Sequence, residues 1–191
     1  MANHEKKEYA SSVHLLMGFQ RTKDNEKHSG SCVRMVIRDF ETDLKLLEYR
    51  LRLRGGTWRI HKTVNARDTE KARKWLIHKL IDFPDGAGFI DSLWRTALLQ
   101  PECVYGEKKF LFDVDTKDEQ KIEVFRDTVK KSTENQFYNF VAQIVETVNG
   151  WHYITVPFDT REVLTLPYVS LQRDGYIFIK KIGDDSDGKV S

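Results

Sequence analysis

Apolar residues recur in this chain with two periods, and the switches between them set the order of the predicted elements. Cys32-Val-Arg-Met-Val-Ile-Arg38 alternates in character and predicts a strand. Phe40, Leu44, Leu47 and Leu51 then fall at spacings of four, three and four, the repeat of one helix face. Asp39 stands where that helix needs an N-cap, and Gly55-Gly56 where it must stop. Trp58-Arg-Ile-His-Lys-Thr-Val64 returns to strand character. Asp68 caps a second predicted helix, in which Ala72, Trp75, Leu76, Lys79 and Leu80 form a broad inward stripe, Lys79 through its aliphatic stem. Pro84-Asp-Gly-Ala-Gly88 breaks it, and a third helix is expected over 89–99.

The second half repeats the alternation. Phe110-Leu-Phe112 predicts a buried strand, followed by a helix over 118–131 with Ile122, Phe125 and Val129 on one stripe. Residues 137–147 fit a short helix or a strand, with Val141-Ala-Gln-Ile-Val145 favouring the strand. A strand is expected over 151–156, and a hairpin over 168–182 folded at Arg173-Asp174-Gly175. The first dozen residues, 21–31 and 184–191 read as tail, loop and frayed end. Interspersed strands and helices imply a mixed α/β or α+β protein, its sheet core flanked by helices, with one domain over 1–183.

Composition narrows this without redirecting it. At 191 residues, 40% hydrophobic and 31% charged, the chain can bury a full core without disulfides or structural metal. No apolar run approaches a membrane span, and Met1-Ala-Asn-His-Glu-Lys-Lys lacks the apolar core of a signal peptide, so the expected location is the cytoplasm. Cys32 and Cys103 have no Cys-x-x-Cys spacing and no histidine cluster beside them, which argues against a zinc site. The net charge is only +2, yet basic residues outnumber acids between Arg34 and Lys79. A solvated basic face would give that count, and so would a surface for polyanions.

The chemistry-bearing feature is Asp113-Val-Asp115, two acids one residue apart at the end of the apolar run. On a strand they share a face, about 6.5–7 Å apart at the backbone. Two carboxylates so placed repel each other unless a divalent cation lies between them, which points to a hard-metal site and phosphate chemistry. Further along, Asn149-Gly150 offers a turn whose amides can approach a phosphate, and His152 follows at the start of a strand as a donor or proton shuttle. Alone, Asp-x-Asp is usually a strand-end surface feature and a lone histidine a satisfied core residue. Their combination changes the weighting.

Together, Phe110-Leu-Phe-Asp113-Val-Asp115 and Asn149-Gly-Trp-His152-Tyr-Ile-Thr-Val-Pro157-Phe158 resemble the archaeo-eukaryotic primase superfamily of primase-polymerases and repair polymerase domains. Asn65-Ala-Arg67-Asp68 is similar to a helix-introducing segment in several of its members. The resemblance implies a nucleotidyltransferase that uses nucleoside triphosphates on a nucleic-acid template or primer. Asp113 and Asp115 would hold Mg²⁺ or Mn²⁺, and His152 and the amides near Asn149 and Gly150 would contact the triphosphate. Arg59, Lys62 and Arg67 would steady the nucleotide or template, and Trp58 or Trp151 could stack on a base. A third acid is required further on, for which Asp174 is preferred to Asp159. Other readings are a catalytically degenerate binding protein of the same fold and a haloacid-dehalogenase-like phosphatase built on Asp113 with Lys180 or Lys181. A two-histidine phosphoesterase would begin with His61-Lys-Thr63 but finds one residue too many in His152-Tyr-Ile-Thr155.

Overall fold

The computed structural model describes residues 10–24 and 30–183, so the expected frayed end at 184–191 lies outside the described residues. In chain order the elements are β1 (Ser12–Val13), β2 (Leu15–Phe19), β3 (Cys32–Val36), α1 (Phe40–Arg54), β4 (Trp58–Thr63), β5 (Arg67–Asp68), α2 (Thr69–Asp82) and α3 (Ile90–Leu98). There follow β6 (Phe110–Val114), α4 (Glu119–Ser132), α5 (Phe137–Phe140), β7 (Val141–Glu146), β8 (Trp151–Thr155), β9 (Val169–Gln172) and β10 (Tyr176–Ile182). They build a mixed α+β fold around two four-stranded antiparallel sheets, ordered β10-β4-β2-β3 and β7-β8-β6-β9, with a small β1-β5 ribbon. Among the described residues, no helix is long and apolar enough to cross a membrane.

The first sheet is covered by helices on both faces. Leu16 and Ile60 pack with Leu47 and Leu51 of α1, while Leu15 and Met17 pack with Ala72 of α2 and Ala97 and Leu98 of α3. That explains why β2, Leu-Leu-Met-Gly-Phe, shows no period of two in the sequence: both of its faces are covered from Leu15 to Gly18, and Phe19 at its end is half-buried. Gly18 admits α1, since a Cβ there would lie 2.8 Å from Cδ1 of Leu51. The expected caps form. Asp39 accepts from the Thr42 amide at 2.9 Å, and Asp68 from the Glu70 and Lys71 amides at 2.9 Å, each contributing about 1 kcal/mol. Lys79 is exposed, so the inward stripe of α2 is narrower than the sequence suggests.

The second sheet follows the path β6-α4-β7-β8-β9 with a 3-10 turn, Val163–Thr165, between its last two strands. This is a split β-α-β arrangement in which that turn stands in for the second helix. One face carries Phe112, Val114 and Tyr153 against Phe125 and Val129 of α4. The opposite face carries Leu111 and Ile154, packed with Val64 and Ile177 of the first sheet's side. Asp113 and His152 continue this same face by the period of two. The ambiguous segment 137–147 resolves into both alternatives, α5 and then β7.

The expected hairpin over 168–182 does not form. β9 pairs with β6 and β10 pairs with β4, so Arg173-Asp174-Gly175 carries the chain from one sheet to the other. A turn sequence dictates a change of direction and says nothing of which strand receives the chain afterwards. The crossing is clamped instead by side chains. Arg67, fully buried, donates to both Asp174 oxygens at 2.9 and 2.7 Å, Asn65 Nδ2 adds a bond at 3.1 Å, and the Val64 amide donates to the Gly175 carbonyl at 3.0 Å.

Candidate active site in the cleft between the sheets

Beyond the dry contact, the face of the second sheet that carries Leu111 and Ile154 opens into a cleft of about 690 Å³. That is the size range of a nucleotide-sized ligand. From the second sheet it receives Asp113, Asp115, Asn149, His152 and Gln172, and from the first Phe19, Arg59, His61, Tyr176 and Phe178.

Strand register makes the acidic wall. Asp113 of β6 lies directly opposite His152 of β8, and His152 Nε2 comes within 3.5 Å of Asp113 Oδ1. The Asp113 side chain keeps 38% of its surface exposed, whereas His152 is about nine-tenths buried with Nδ1 lacking a hydrogen-bond partner. Asp115 is exposed just beyond β6, its amide fixed to the Tyr168 carbonyl at 2.9 Å. Asp113 therefore occupies a central strand of an antiparallel sheet, and the pair owes its position to pairing on both sides rather than to the carboxyl end of a parallel sheet.

Gly150 has a structural role beside the site. A Cβ there would meet the Val114 carbonyl oxygen at 1.9 Å and the Thr116 amide at 2.7 Å, so the turn is pressed onto the backbone that carries the two acids. Its own amide donates to Thr147 Oγ1 at 3.0 Å, which removes it as a phosphate donor, while Asn149 remains exposed on the cleft wall.

The basic residues separate. Arg59 lines the cleft and bonds Asp24 Oδ2 at 2.8 Å; Lys62 faces the other side of β4, its ammonium 5.6 Å from the ring of Phe40; Arg67 is committed to Asp174. Neither acid considered for the third position lines the cleft. Asp174 has both oxygens occupied, and Asp159 is ion-paired with Arg161, whose hydrogen bond holds its carboxyl down at about 2. The residue facing Asp113 on β9 is Ser170. Trp58 is buried in the first core with its indole donating to Gly55, and Trp151 packs on the second core. Sequence reasoning missed the cleft's aromatic side: Tyr176 and Phe178 read there as ordinary hairpin residues, and Phe19 falls in a stretch given no element.

His61 sits among these rings, 5.4 Å from Phe19 and 5.5 Å from Phe178, both edge-on. Burial pushes its pKa down to about 4, helped by the charge of Arg59, against a hydrogen bond from Nδ1 to the Arg59 carbonyl at 3.3 Å. It is neutral at pH 7.

Comparison of the chain with protein-family models, curated proteins and solved structures returned no match. Among the described residues no three His, Cys, Asp or Glu side chains gather as a metal cage. Two carboxylates in an open cleft do suit Mg²⁺ or Mn²⁺ shared with a ligand's phosphates, since Mg²⁺ is commonly held by one or two carboxylates with substrate supplying further oxygens.

Proposed function

We propose that this protein is a metal-dependent nucleotidyltransferase of the primase-polymerase kind, acting with nucleoside triphosphates on a nucleic-acid template or primer. The observation that carries the reading is the register of β6 with β8, which sets Asp113 against His152 in one open cleft with Asp115 and Asn149. Asp113 and Asp115 would hold the cation, which when bound supplies Lewis-acid activation of a hydroxyl and charge neutralisation on phosphate. His152, with one ring nitrogen beside Asp113, orients toward phosphate oxygens; Asn149 offers its amide side chain at the mouth, and Arg59 adds a positive charge from the opposite wall.

A second reading rests on Ser170. With a hydroxyl rather than an acid facing Asp113, the site also suits a protein that binds nucleotide or nucleic acid without transferring a nucleotidyl group. The other enzymes fare worse. Thr155 lies on the opposite face of β8 from His152, which denies a two-histidine phosphoesterase its second pair, and of the two lysines considered for a dehalogenase-like phosphatase, Lys180 is ion-paired with Glu48 of α1.

The test is thermal melting with Mn²⁺ and a nucleoside triphosphate, followed by primer extension. The expected result is a higher Tm that Asp113→Asn with Asp115→Asn abolishes, together with at least about 100-fold loss of extension. A rise without extension selects the binding protein. No rise in the wild type overturns the transferase and favours a protein that binds nucleic acid alone.

A further inference from the structure

The cleft has two chemically different walls, and the proposed function uses chiefly one of them. Opposite the acids, Phe19 of β2, His61 of β4 and Phe178 and Tyr176 of β10 form a continuous aromatic surface. The rings are half-buried, each presenting part of its surface to the cleft. Their positions follow from register: His61 pairs with Phe178 on one side and with Met17 on the other, while Phe19, opposite Arg59, is the next residue of β2 on the same face after Met17. Phe19 and Tyr176 also pack against the core that Leu15 and Met17 form with α2 and α3, while among the described residues Phe178 belongs to no buried hydrophobic cluster and gives its free surface to the cleft.

We propose that this wall is a stacking platform for an unpaired nucleobase, held across the cleft from Asp113 and Asp115. Stacking is the chemistry half-exposed aromatic rings offer a planar base, and it tolerates any base because each has a π face. Neutral His61 completes the surface without adding charge, so the attraction comes from stacking and desolvation, while Arg59 stands on the same wall for an adjoining phosphate. The platform replaces Trp58, buried in the first core, and Trp151, packed against the second. It rests on the same cleft as the proposed function but not on metal binding or catalysis.

The base could belong to a nucleoside triphosphate or to a single strand, and two probes separate them: 2-aminopurine riboside triphosphate and a single-stranded oligonucleotide with one internal 2-aminopurine. Both are titrated in EDTA with fluorescence as readout. Quenching by the wild type is expected with at least one probe, and the probe that quenches identifies the source. Phe19→Leu with Phe178→Leu, which keeps apolar volume and removes the rings, is expected to weaken that binding roughly 5- to 150-fold. Phe178→Leu alone serves if the double variant melts below the assay temperature. Binding without quenching, no binding of either probe, or unchanged affinity in the Leu variants overturns the platform. A Mn²⁺-dependent rise in Tm with no quenching would leave the metal site standing and remove the platform; quenching without that rise would do the reverse.

Discussion

Asp113 and Asp174 are both carboxylates near the end of a strand of the second sheet, and the fold uses them in opposite ways. Asp174 is saturated: a fully buried guanidinium takes both oxygens and Asn65 adds a third bond. Asp113 is left open, with one histidine nitrogen at 3.5 Å and over a third of its side chain in solvent. A carboxylate whose lone pairs are all used by the protein stabilises the fold. One with lone pairs to spare, held in place by strand pairing, is available to a ligand.

The largest effect that could break this contrast concerns the clamp. Asp174→Ala strands the Arg67 charge in the interior and should cost about 3–5 kcal/mol in urea unfolding, whereas Asp113→Asn should cost less than about 1 kcal/mol. Equal costs would mean that both acids are structural. Replacing the pair together, Arg67→Met with Asp174→Leu, should recover much of the loss, because the buried charge is then gone.

Gly150→Ala comes next. Its Cβ would sit 1.9 Å from the Val114 carbonyl oxygen, so the turn must withdraw from β6, at about 1–3 kcal/mol by overpacking. The backbone beneath Asp115 moves with it, and the Mn²⁺-dependent rise in Tm should shrink more than stability alone explains.

A smaller effect tests the aromatic wall through pH. His61 is held neutral, with its pKa near 4 rather than the ordinary 6.5. Between those values the unfolded chain binds a proton that the folded chain does not, so stability falls as pH drops through 6.5 and the loss is complete near 4. His61→Phe should flatten that window by up to about 3 kcal/mol relative to wild type, measured by urea unfolding at pH 7 and pH 4.5. Burial also lowers His14, which adds slope of the same sign in both proteins. The smallest effect belongs to the surface. Lys117 and Glu146 pair at 2.8 Å with more than half of each side chain exposed, and Glu146→Gln should change stability by less than about 0.5 kcal/mol.

Local rules carried the sequence reading far for helices and for half the site. Phe40, Leu44, Leu47 and Leu51 lie on the face of α1 that meets the first sheet, and Asp39 and Asp68 cap as their positions suggest. β6 and β8 were legible as strands because their helix-side residues are apolar, and their pairing is what sets Asp113 opposite His152. What failed was non-local. β2 has no period because both its faces are covered, and β9 and β10 look like a hairpin because their turn carries no record of their partners. The search for a third acid failed for the same reason: Asp174 seemed free until the fold placed Arg67 beside it.

The crossing at Asp174 also orders events in time. All four strands of the second sheet lie between β4 and β10 in sequence, so among the described residues the pairing that completes the first sheet joins the paired strands most distant along the chain. Loop closure over such a span is costly until the intervening sheet has condensed. Folding should therefore end with the docking of β10, and the cleft, whose aromatic wall depends on Phe178, comes into being only in that last step.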